Sequence, residues 1–202
     1  MLNGDYSTVR LPKLVLASGS PRRAEILTAV GWEFEKVVPD VDESVLEGES
    51  PEDYVQRLAR VKAEAVSAAI GEDRCILAAD TTVVIDGQIL GKPEDLDDAR
   101  RMLRTLSGTR HEVLTGVAVL YNRDVEVALQ RTGVRFSPMS DAEIEFLVSE
   151  GSPLDKAGAY AVQAQAALFI EGIEGDYWNV VGLPISLVYR LMKKADATPT
   201  SA

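Results

Sequence analysis

The alternation of apolar and polar positions predicts a series of short strands and helices. Apolar runs at Leu14–Ala17, 34–38 and 75–79 are typical of strands. Between the first two runs, Pro21 opens a helix whose buried face is expected to hold Ile26, Leu27 and Val30. Helical spacing then predicts a long helix over about 51–70, marked by Tyr54, Leu58, Val61, Ala65 and Ala68.

The second half of the chain adds hairpins and further helices. Asp86-Gly87 predicts a tight hairpin between extended segments at 81–85 and 88–90. Helices are predicted near 95–106, from Asp141 to about 149 and over 184–194, and long strands over 112–120 and 125–136. Residues 153–175 are predicted to be loop and strand. Because hairpins interrupt the alternation of strands and helices, the order favours an α/β fold with a mixed sheet.

The start of the first helix departs from the usual charge preference. Ser20 is a good N-cap and Pro21 suits the first turn, yet Arg22 and Arg23 follow where the helix dipole favours acids. The long helix begins Ser-Pro-Glu-Asp at 50–53 and obeys the preference. Two interpretations are open. An external anion such as a phosphate chain binds here, or two exposed arginines simply point into solvent.

Composition and charge narrow the classes of protein. The chain of 202 residues is 46% hydrophobic and 26% charged, as is ordinary for a globular protein. A net charge of −11 argues against nucleic-acid binding, so a phosphate site must be built from a few Arg and Lys residues, with a divalent metal. No apolar stretch is long enough to span a membrane, and no secretory leader is evident. Cys75, the only cysteine, suits a buried strand in a reducing cytoplasm.

Several polar residues stand where strands and turns meet. Asp80 follows an apolar run. It is either a structural cap of a helix or turn, or a functional residue that acts as a base or a metal ligand. Asp42 and Glu43 lie in an acidic loop, where they are either solvated or supply a second carboxylate that shares Mg²⁺ with Asp80. Lys62 is either a surface lysine or projects across a cleft. Lys92 is stiffly placed between Gly and Pro, which suits a phosphate contact.

Two further side chains allow both structural and functional interpretations. His111, the only histidine, favours a structural or surface role over catalysis. Gln163 is either a plain loop residue or a reader of a base edge, since its amide both donates and accepts. No Walker-type phosphate loop is present in the sequence.

Eight stretches together are far more specific than any one of them. The chain resembles the Maf family of nucleoside triphosphate pyrophosphatases over about 14–191. The resemblance is carried, in this order, by LASGSPRRAEIL, VDES, LARVKAEAV, AADTTVV, GKP, RHEVLTGV, DKAGAYAVQ and GDYWNVVGLP. It implies hydrolysis of a nucleoside triphosphate to the monophosphate and pyrophosphate.

The resemblance also implies a fold and its surroundings. It implies a two-lobed α/β fold, similar to that of the inosine triphosphate pyrophosphatases, with the site in the cleft between lobes. A single catalytic domain over 14–194 is expected between an extension at 1–13 and a flexible tail at 195–202. The expected metal is Mg²⁺, with Mn²⁺ or Co²⁺ as alternatives, in a cytoplasmic homodimer that contacts neither nucleic acid nor membrane.

The matching motifs assign expected roles to individual residues. Asp80 matches the proton acceptor, and Asp80 with Glu43 matches the metal site. Base preference is expected from Arg22, Thr81 and Gln163, which match the dTTP/UTP branch. Phosphate contacts are expected from Ser18, Arg22, Arg23, Lys62 and Lys92.

One departure from the family pattern concerns the base site. Ala161 and Ala164 replace glycines of many relatives beside Gln163 and put the fine base preference in doubt. Two alternatives to a dTTP/UTP pyrophosphatase remain open. One is a 7-methyl-GTP pyrophosphatase, and the other is a nucleotide-binding regulator of septum formation without turnover.

Overall fold

The computed structural model describes residues 13–71 and 74–197, which form seven strands and six α-helices. The strands are β1 (Leu14–Ala17), β2 (Phe34–Val37), β3 (Cys75–Ile85), β4 (Gln88–Leu90), β5 (Arg110–Tyr121), β6 (Asp124–Phe136) and β7 (Ile170–Glu174). The helices are α1 (Pro21–Ala29), α2 (Pro51–Ile70), α3 (Leu96–Leu106), α4 (Asp141–Glu150), α5 (Tyr177–Val181) and α6 (Ile185–Ala197). Three short 3₁₀ helices at Pro153–Asp155, Ala157–Ala159 and Gln165–Phe169 lead from α4 to β7.

The strands form one mixed sheet, as the hairpin-interrupted pattern predicts. Its order is β2-β1-β3-β5-β6-β7, and β4 pairs with β3 off this path. β1 runs parallel to β2 and β3, whereas the remaining pairs are antiparallel. The βαβ unit of β1, α1 and β2 therefore lies at one edge, and the β5–β6 hairpin and β7 lie toward the other. The β3–β4 hairpin lies in the middle of the sheet, beyond the end of β1.

Separate apolar cores along this sheet give the molecule two lobes. In the first lobe, α1 and α6 cover one face of β1 and β3, and α2 covers the other. In the second lobe, α3 and α4 pack on the far ends of β3, β5 and β6, around Leu103, Phe136 and Leu147. β3 and β5 run through both lobes, so residues near their middle lie between the two cores.

The close approach of α2 to the sheet depends on a glycine in β5. Gly116 of β5 pairs with Asp80 of β3. A Cβ at Gly116 would overlap the backbone carbonyl of Val55 in α2. Glycine at this position therefore lets α2 lie directly against the strand that carries Asp80.

Several expected boundaries and faces are corrected by the structure. β3 continues through Asp80 to Ile85, so Asp80 lies within a strand and not at its end. Val30 is exposed, because α1 ends at Ala29 and turns through Gly31 at positive φ. On α2 the buried face is rotated by one position from the predicted spacing and holds Lys62.

The two chain ends are described only in part. α6 ends at Ala197, beyond the expected end of the domain at Lys194. Residues 1–12 of the expected extension and 198–202 of the expected tail lie outside the described residues. Among the described ranges, no helix is both long and apolar enough to cross a membrane.

Candidate active site

A cleft of about 590 Å³ lies between the lobes and collects most of the predicted functional residues. Its walls come from the β1–α1 turn, the acidic loop, α2, the middle of β3 and the 3₁₀ segments after α4. All nine residues of the predicted site line it: Ser18, Arg22, Arg23, Glu43, Lys62, Asp80, Thr81, Lys92 and Gln163. The fold thus brings together side chains that are up to 145 positions apart, from Ser18 to Gln163.

The N-terminus of α1 opens on this cleft without a side-chain cap. Ser20 occupies the N-cap position, but its side chain makes no cap hydrogen bond, contrary to the expectation from the sequence. Its backbone N–H donates instead to Ser18 Oγ at 3.2 Å. The first turn of α1 contains no acidic residue. No side chain of the helix itself therefore neutralises the partial positive charge of the helix N-terminus, which faces the cleft.

Arg23 is buried, which overturns the interpretation that both arginines point into solvent. Its guanidinium donates to the Gly182 carbonyl at 2.8 Å, Ser18 Oγ at 3.0 Å and Thr81 Oγ1 at 3.1 Å. Burial lowers the pKa of Arg23, and the negative charge of Asp80 opposes this shift. Among the described contacts, these bonds use three of the five guanidinium N–H groups of Arg23, so two remain for a ligand.

Arg22 reaches across the cleft to the opposite wall. It donates to the Asp155 carboxylate at 3.0 Å and to the Asp155 backbone carbonyl at 3.3 Å. The side chain of Arg22 is only 21% exposed, so it too is held against the protein. Asp155 was assigned no role from the sequence.

Asp80, Lys62 and Glu43 form a charged triad on the α2 side of the cleft. Lys62 Nζ lies 2.7 Å from Asp80 Oδ1 and 2.6 Å from Glu43 Oε1. Lys62 is buried, so its interpretation as a surface lysine is wrong. Partial burial alone would raise the pKa of Glu43, but the hydrogen bond and charge of Lys62, together with the charges of Lys92 and Arg23, lower it below its ordinary value.

Contacts with α2 hold Glu43 in place, and its neighbour Asp42 stays outside the site. The Tyr54 hydroxyl donates to the Glu43 carbonyl at 3.0 Å, and Arg57 donates to the Ser44 carbonyl at 2.9 Å. Asp42 is exposed, accepts the local Ser44 N–H at 2.9 Å and also contacts the Ser44 side chain. Of the two loop carboxylates, Glu43 alone joins Asp80.

A buried polar network supports the other face of β3. Thr81 Oγ1 lies 2.9 Å from Thr115 Oγ1, and Asn179 Nδ2 donates to the Val113 carbonyl at 2.9 Å and to Thr132 Oγ1 at 3.0 Å. This network fixes the segment that presents the Gly182 carbonyl to Arg23. Asn179 lies in the GDYWNVVGLP stretch, whose unusual run of polar and aromatic residues was the only local signal for it.

The remaining predicted residues lie toward the mouth of the cleft. Lys92 and Gln163 are exposed at its rim, and the positive charge of Lys92 contributes to the low pKa of Glu43. Ala161 lines the cleft, whereas Ala164 is not among its lining residues. His111 is buried and lies 2.8 Å from the Tyr160 hydroxyl, and burial lowers its pKa to about 4, in keeping with the structural role favoured by the sequence.

The triad suits a divalent cation that is shared with a ligand. Both carboxylates already contact one cationic atom, Lys62 Nζ, so their oxygens converge on a single position. No cluster of three or more His, Cys, Asp or Glu side chains suited to a metal is found in residues 13–71 and 74–197. Two carboxylates are oxygen ligands of the kind that hard divalent cations take.

The fold of the chain is shared with a solved structure. Its structure is similar to that of the Ham1 protein of Staphylococcus aureus, with a TM-score of 0.54 and 14% identity. The match covers 91% of this chain and 99% of that one. At this identity the likeness shows the shared mixed α/β fold.

Sequence comparison then identifies the family. The model described as Maf-like protein matches residues 13–195, so the chain belongs to the Maf family, as the eight motifs predict. It is 53% identical over 188 residues to a dTTP/UTP pyrophosphatase of Anaeromyxobacter dehalogenans strain 2CP-1, covering 91% of this chain and 94% of the relative. It is 52% identical over 177 residues to a dTTP/UTP pyrophosphatase of Chromobacterium violaceum, with 86% and 89% coverage.

Proposed function

We propose that this protein hydrolyses dTTP and UTP to the nucleoside monophosphate and pyrophosphate. Relatives that share about half of its residues over most of their length are named for this activity. The observation that carries the proposal is the buried pairing of Asp80 with Lys62 in a cleft that also holds Arg23. Binding alone would need the cations but not a positioned carboxylate, which favours an enzyme over a nucleotide-binding regulator.

Asp80 acts in this proposal as the proton acceptor for the attacking water. Lys62 holds one oxygen of the Asp80 carboxylate at 2.7 Å, which orients the other oxygen for the water. The water attacks the α-phosphorus as pyrophosphate departs in line.

The cations of the cleft offset the charge that gathers on the leaving pyrophosphate. Arg23 is already fixed by three hydrogen bonds, so it needs little reorganisation when phosphate binds. Arg22, Lys62 and Lys92 supply further positive charge. Ser18 Oγ and the uncapped first turn of α1 add hydrogen-bond donors.

Asp80 and Glu43 would hold the divalent metal, for which Mg²⁺ is proposed, with Mn²⁺ or Co²⁺ as alternatives. When bound, this ion supplies positive charge that activates water and neutralises phosphate oxygens. Lys62 contacts the same two carboxylates, so its positive charge lies beside the position that the ion would take and adds to the attraction for phosphate oxygens.

Base preference is proposed to come from Arg22, Thr81 and Gln163, of which Gln163 lies exposed at the rim of the cleft. The Gln163 amide can both donate to and accept from a pyrimidine edge. Thr81 lies deeper, where its hydroxyl contacts Arg23 and Thr115, so it links the base end to the phosphate end. A cytoplasmic homodimer with one catalytic domain over 14–194 is proposed as the working form.

Pyrophosphate release from dTTP, UTP, CTP and 7-methyl-GTP, measured with Mg²⁺ and with EDTA, tests the proposal. We expect turnover of dTTP and UTP with Mg²⁺ only. Asp80→Asn should lower kcat at least ~100-fold without unfolding the protein, since general-base catalysis is worth about that much. Tight UTP binding without pyrophosphate release would favour the regulator, and preferred turnover of 7-methyl-GTP would favour that substrate.

A matched pair of loop variants separates metal binding by Glu43 from the general effect of negative charge in the loop. Glu43→Gln should raise the Mg²⁺ concentration needed for half-maximal rate about tenfold, because one of two carboxylate ligands becomes neutral. Asp42→Asn changes the adjacent, exposed carboxylate and should leave that concentration within twofold. An equal effect of the two variants would remove Glu43 from the metal site.

A further inference from the structure

We propose that Asp155 is a positioning residue for base selection, because it holds Arg22 against the segment that carries Gln163. This inference rests on the proposed function and extends it to a residue outside the predicted site. Arg22 belongs to the first lobe, at the start of α1. Asp155 and Gln163 belong to one continuous segment of the opposite wall, eight positions apart.

The contact between Arg22 and Asp155 has two points. The Asp155 carboxylate accepts from Arg22 Nη1 at 3.0 Å, and the Asp155 backbone carbonyl accepts from Nη2 at 3.3 Å. A guanidinium held by both of its terminal nitrogens is fixed in direction as well as in place. The remaining N–H groups of Arg22 are therefore presented to the cleft in one orientation.

Asp155 is itself anchored on its own side of the cleft. Its other carboxylate oxygen accepts from Lys156 Nζ, which also donates to the Ser152 carbonyl. Ser152 and Ala159 both adopt positive φ, at 47° and 65°, so the surrounding structure holds this segment in a conformation that non-glycine residues rarely take. Such backbone strain is typical of segments whose exact shape matters for a site.

These contacts favour positioning over competition with the substrate for Arg22. A carboxylate that merely filled a phosphate position would need to leave when phosphate arrives. Asp155 has both oxygens engaged, and its backbone carbonyl would still hold Arg22 after the carboxylate moved. Although partial burial raises the pKa of Asp155, hydrogen bonds from Lys156 and Arg22 lower it further, so the carboxylate stays charged near neutral pH.

The test is the ratio of kcat/KM for UTP to that for CTP, which differ in the base edge alone. Asp155→Ala should lower this ratio at least fivefold, equivalent to about 1 kcal/mol, and leave kcat for UTP within threefold. Asp155→Glu should restore part of the ratio. Asp155→Asn keeps the size of the side chain and replaces the alanine variant in this measurement if that variant does not fold.

A matched control is available in another exposed ion pair. Arg74 and Glu35 lie 2.6 Å apart with side-chain exposures of 25% and 56%, close to the 21% and 55% of Arg22 and Asp155. This pair is not among the cleft residues. Glu35→Ala should leave the UTP-to-CTP ratio unchanged, which separates base selection from the general loss of an ion pair.

A double-mutant cycle decides whether Asp155 acts through Arg22. In an Arg22→Ala background, Asp155→Ala should change the ratio by less than twofold, because the side chain that it positions is gone. A full additional effect in that background would overturn the proposal.

Three other outcomes would also overturn it. The first is an unchanged UTP-to-CTP ratio in Asp155→Ala, and the second is an equal loss of kcat/KM for both nucleotides. The third is a lower KM for UTP in Asp155→Ala, which would show that the Asp155 carboxylate competes with the substrate for Arg22. If the wild-type protein releases no pyrophosphate, the proposed function fails. The ratio of UTP to CTP dissociation constants, measured by calorimetry on the same variants, then tests Asp155 alone, with the same fivefold criterion.

Discussion

The starts of α1 and α2 share a serine at the N-cap position and a proline in the first turn but differ in the charge that follows. Both begin Ser-Pro, but α2 continues with Glu52 and Asp53, and α1 continues with Arg22 and Arg23. In α2 the Ser50 hydroxyl accepts from the Asp53 N–H at 3.1 Å, so the helix satisfies its own terminus. In α1 no side chain caps the terminus, and the arginines contact distant segments instead.

The difference sets the start of α1 apart from the starts of α2, α3 and α4. Like α2, α3 and α4 carry a capping side chain and acidic residues in the first turn. α1 lacks both features, and its first three residues all line the cleft. An uncapped terminus and two cations form an unfavourable local combination that a bound polyanion would turn into a favourable one. Three experiments break or sharpen this comparison.

The largest effect is expected from Arg23→Met. It removes a buried charge that three acceptors contact, so we expect at least a ~100-fold fall in kcat/KM for UTP and a loss of about 3 kcal/mol in stability. Pyrophosphate assays and urea unfolding measure these two effects. Arg60→Met, on the exposed face of α2, is the control and should change neither value appreciably. Full activity of Arg23→Met would exclude Arg23 from phosphate binding.

An intermediate effect is expected from pyrophosphate binding in the presence of Mg²⁺. At 100 times its dissociation constant, a ligand that binds only the folded state adds about 2.7 kcal/mol to the free energy of unfolding. Thermal or urea unfolding should show this gain in the wild-type protein and in Ser50→Ala, but much less in Arg23→Met. Equal stabilisation of all three proteins would place the anion elsewhere.

The smallest effect distinguishes the two N-cap serines directly. Ser50→Ala removes a cap hydrogen bond and should lower stability by about 1 kcal/mol. Ser20→Ala removes no such bond and should stay within about 0.5 kcal/mol of the wild type. Urea unfolding of the two variants side by side provides the measurement. A loss at Ser20 as large as that at Ser50 would contradict the uncapped description of α1.

The local pattern of the sequence accounts for most elements of the fold. α2 has the predicted bounds, the hairpin turns at Asp86-Gly87, and α3 at Leu96–Leu106 lies where a helix near 95–106 is predicted. These features depend on periodicity and turn chemistry within a few residues.

The features that the sequence missed depend on distant partners. The pattern within α2 left Lys62 open between a surface lysine and one that projects across a cleft, because its partner Asp80 lies 18 positions away. Asp155 is 133 positions from Arg22, and neither sequence neighbourhood predicts their contact. The extension of β3 through Asp80 reflects pairing with β5, which continues past the end of β1. Packing between segments, and not local propensity, decides such features.

A crystal structure with Mg²⁺ and a UTP analogue whose α–β bridge resists hydrolysis tests the central claim most directly. The account predicts phosphate oxygens within hydrogen-bond distance of the Arg23 guanidinium and of the first-turn N–H groups of α1. A triphosphate that is ordered elsewhere in the protein, with no contact to the Ser20–Arg23 segment, would contradict it.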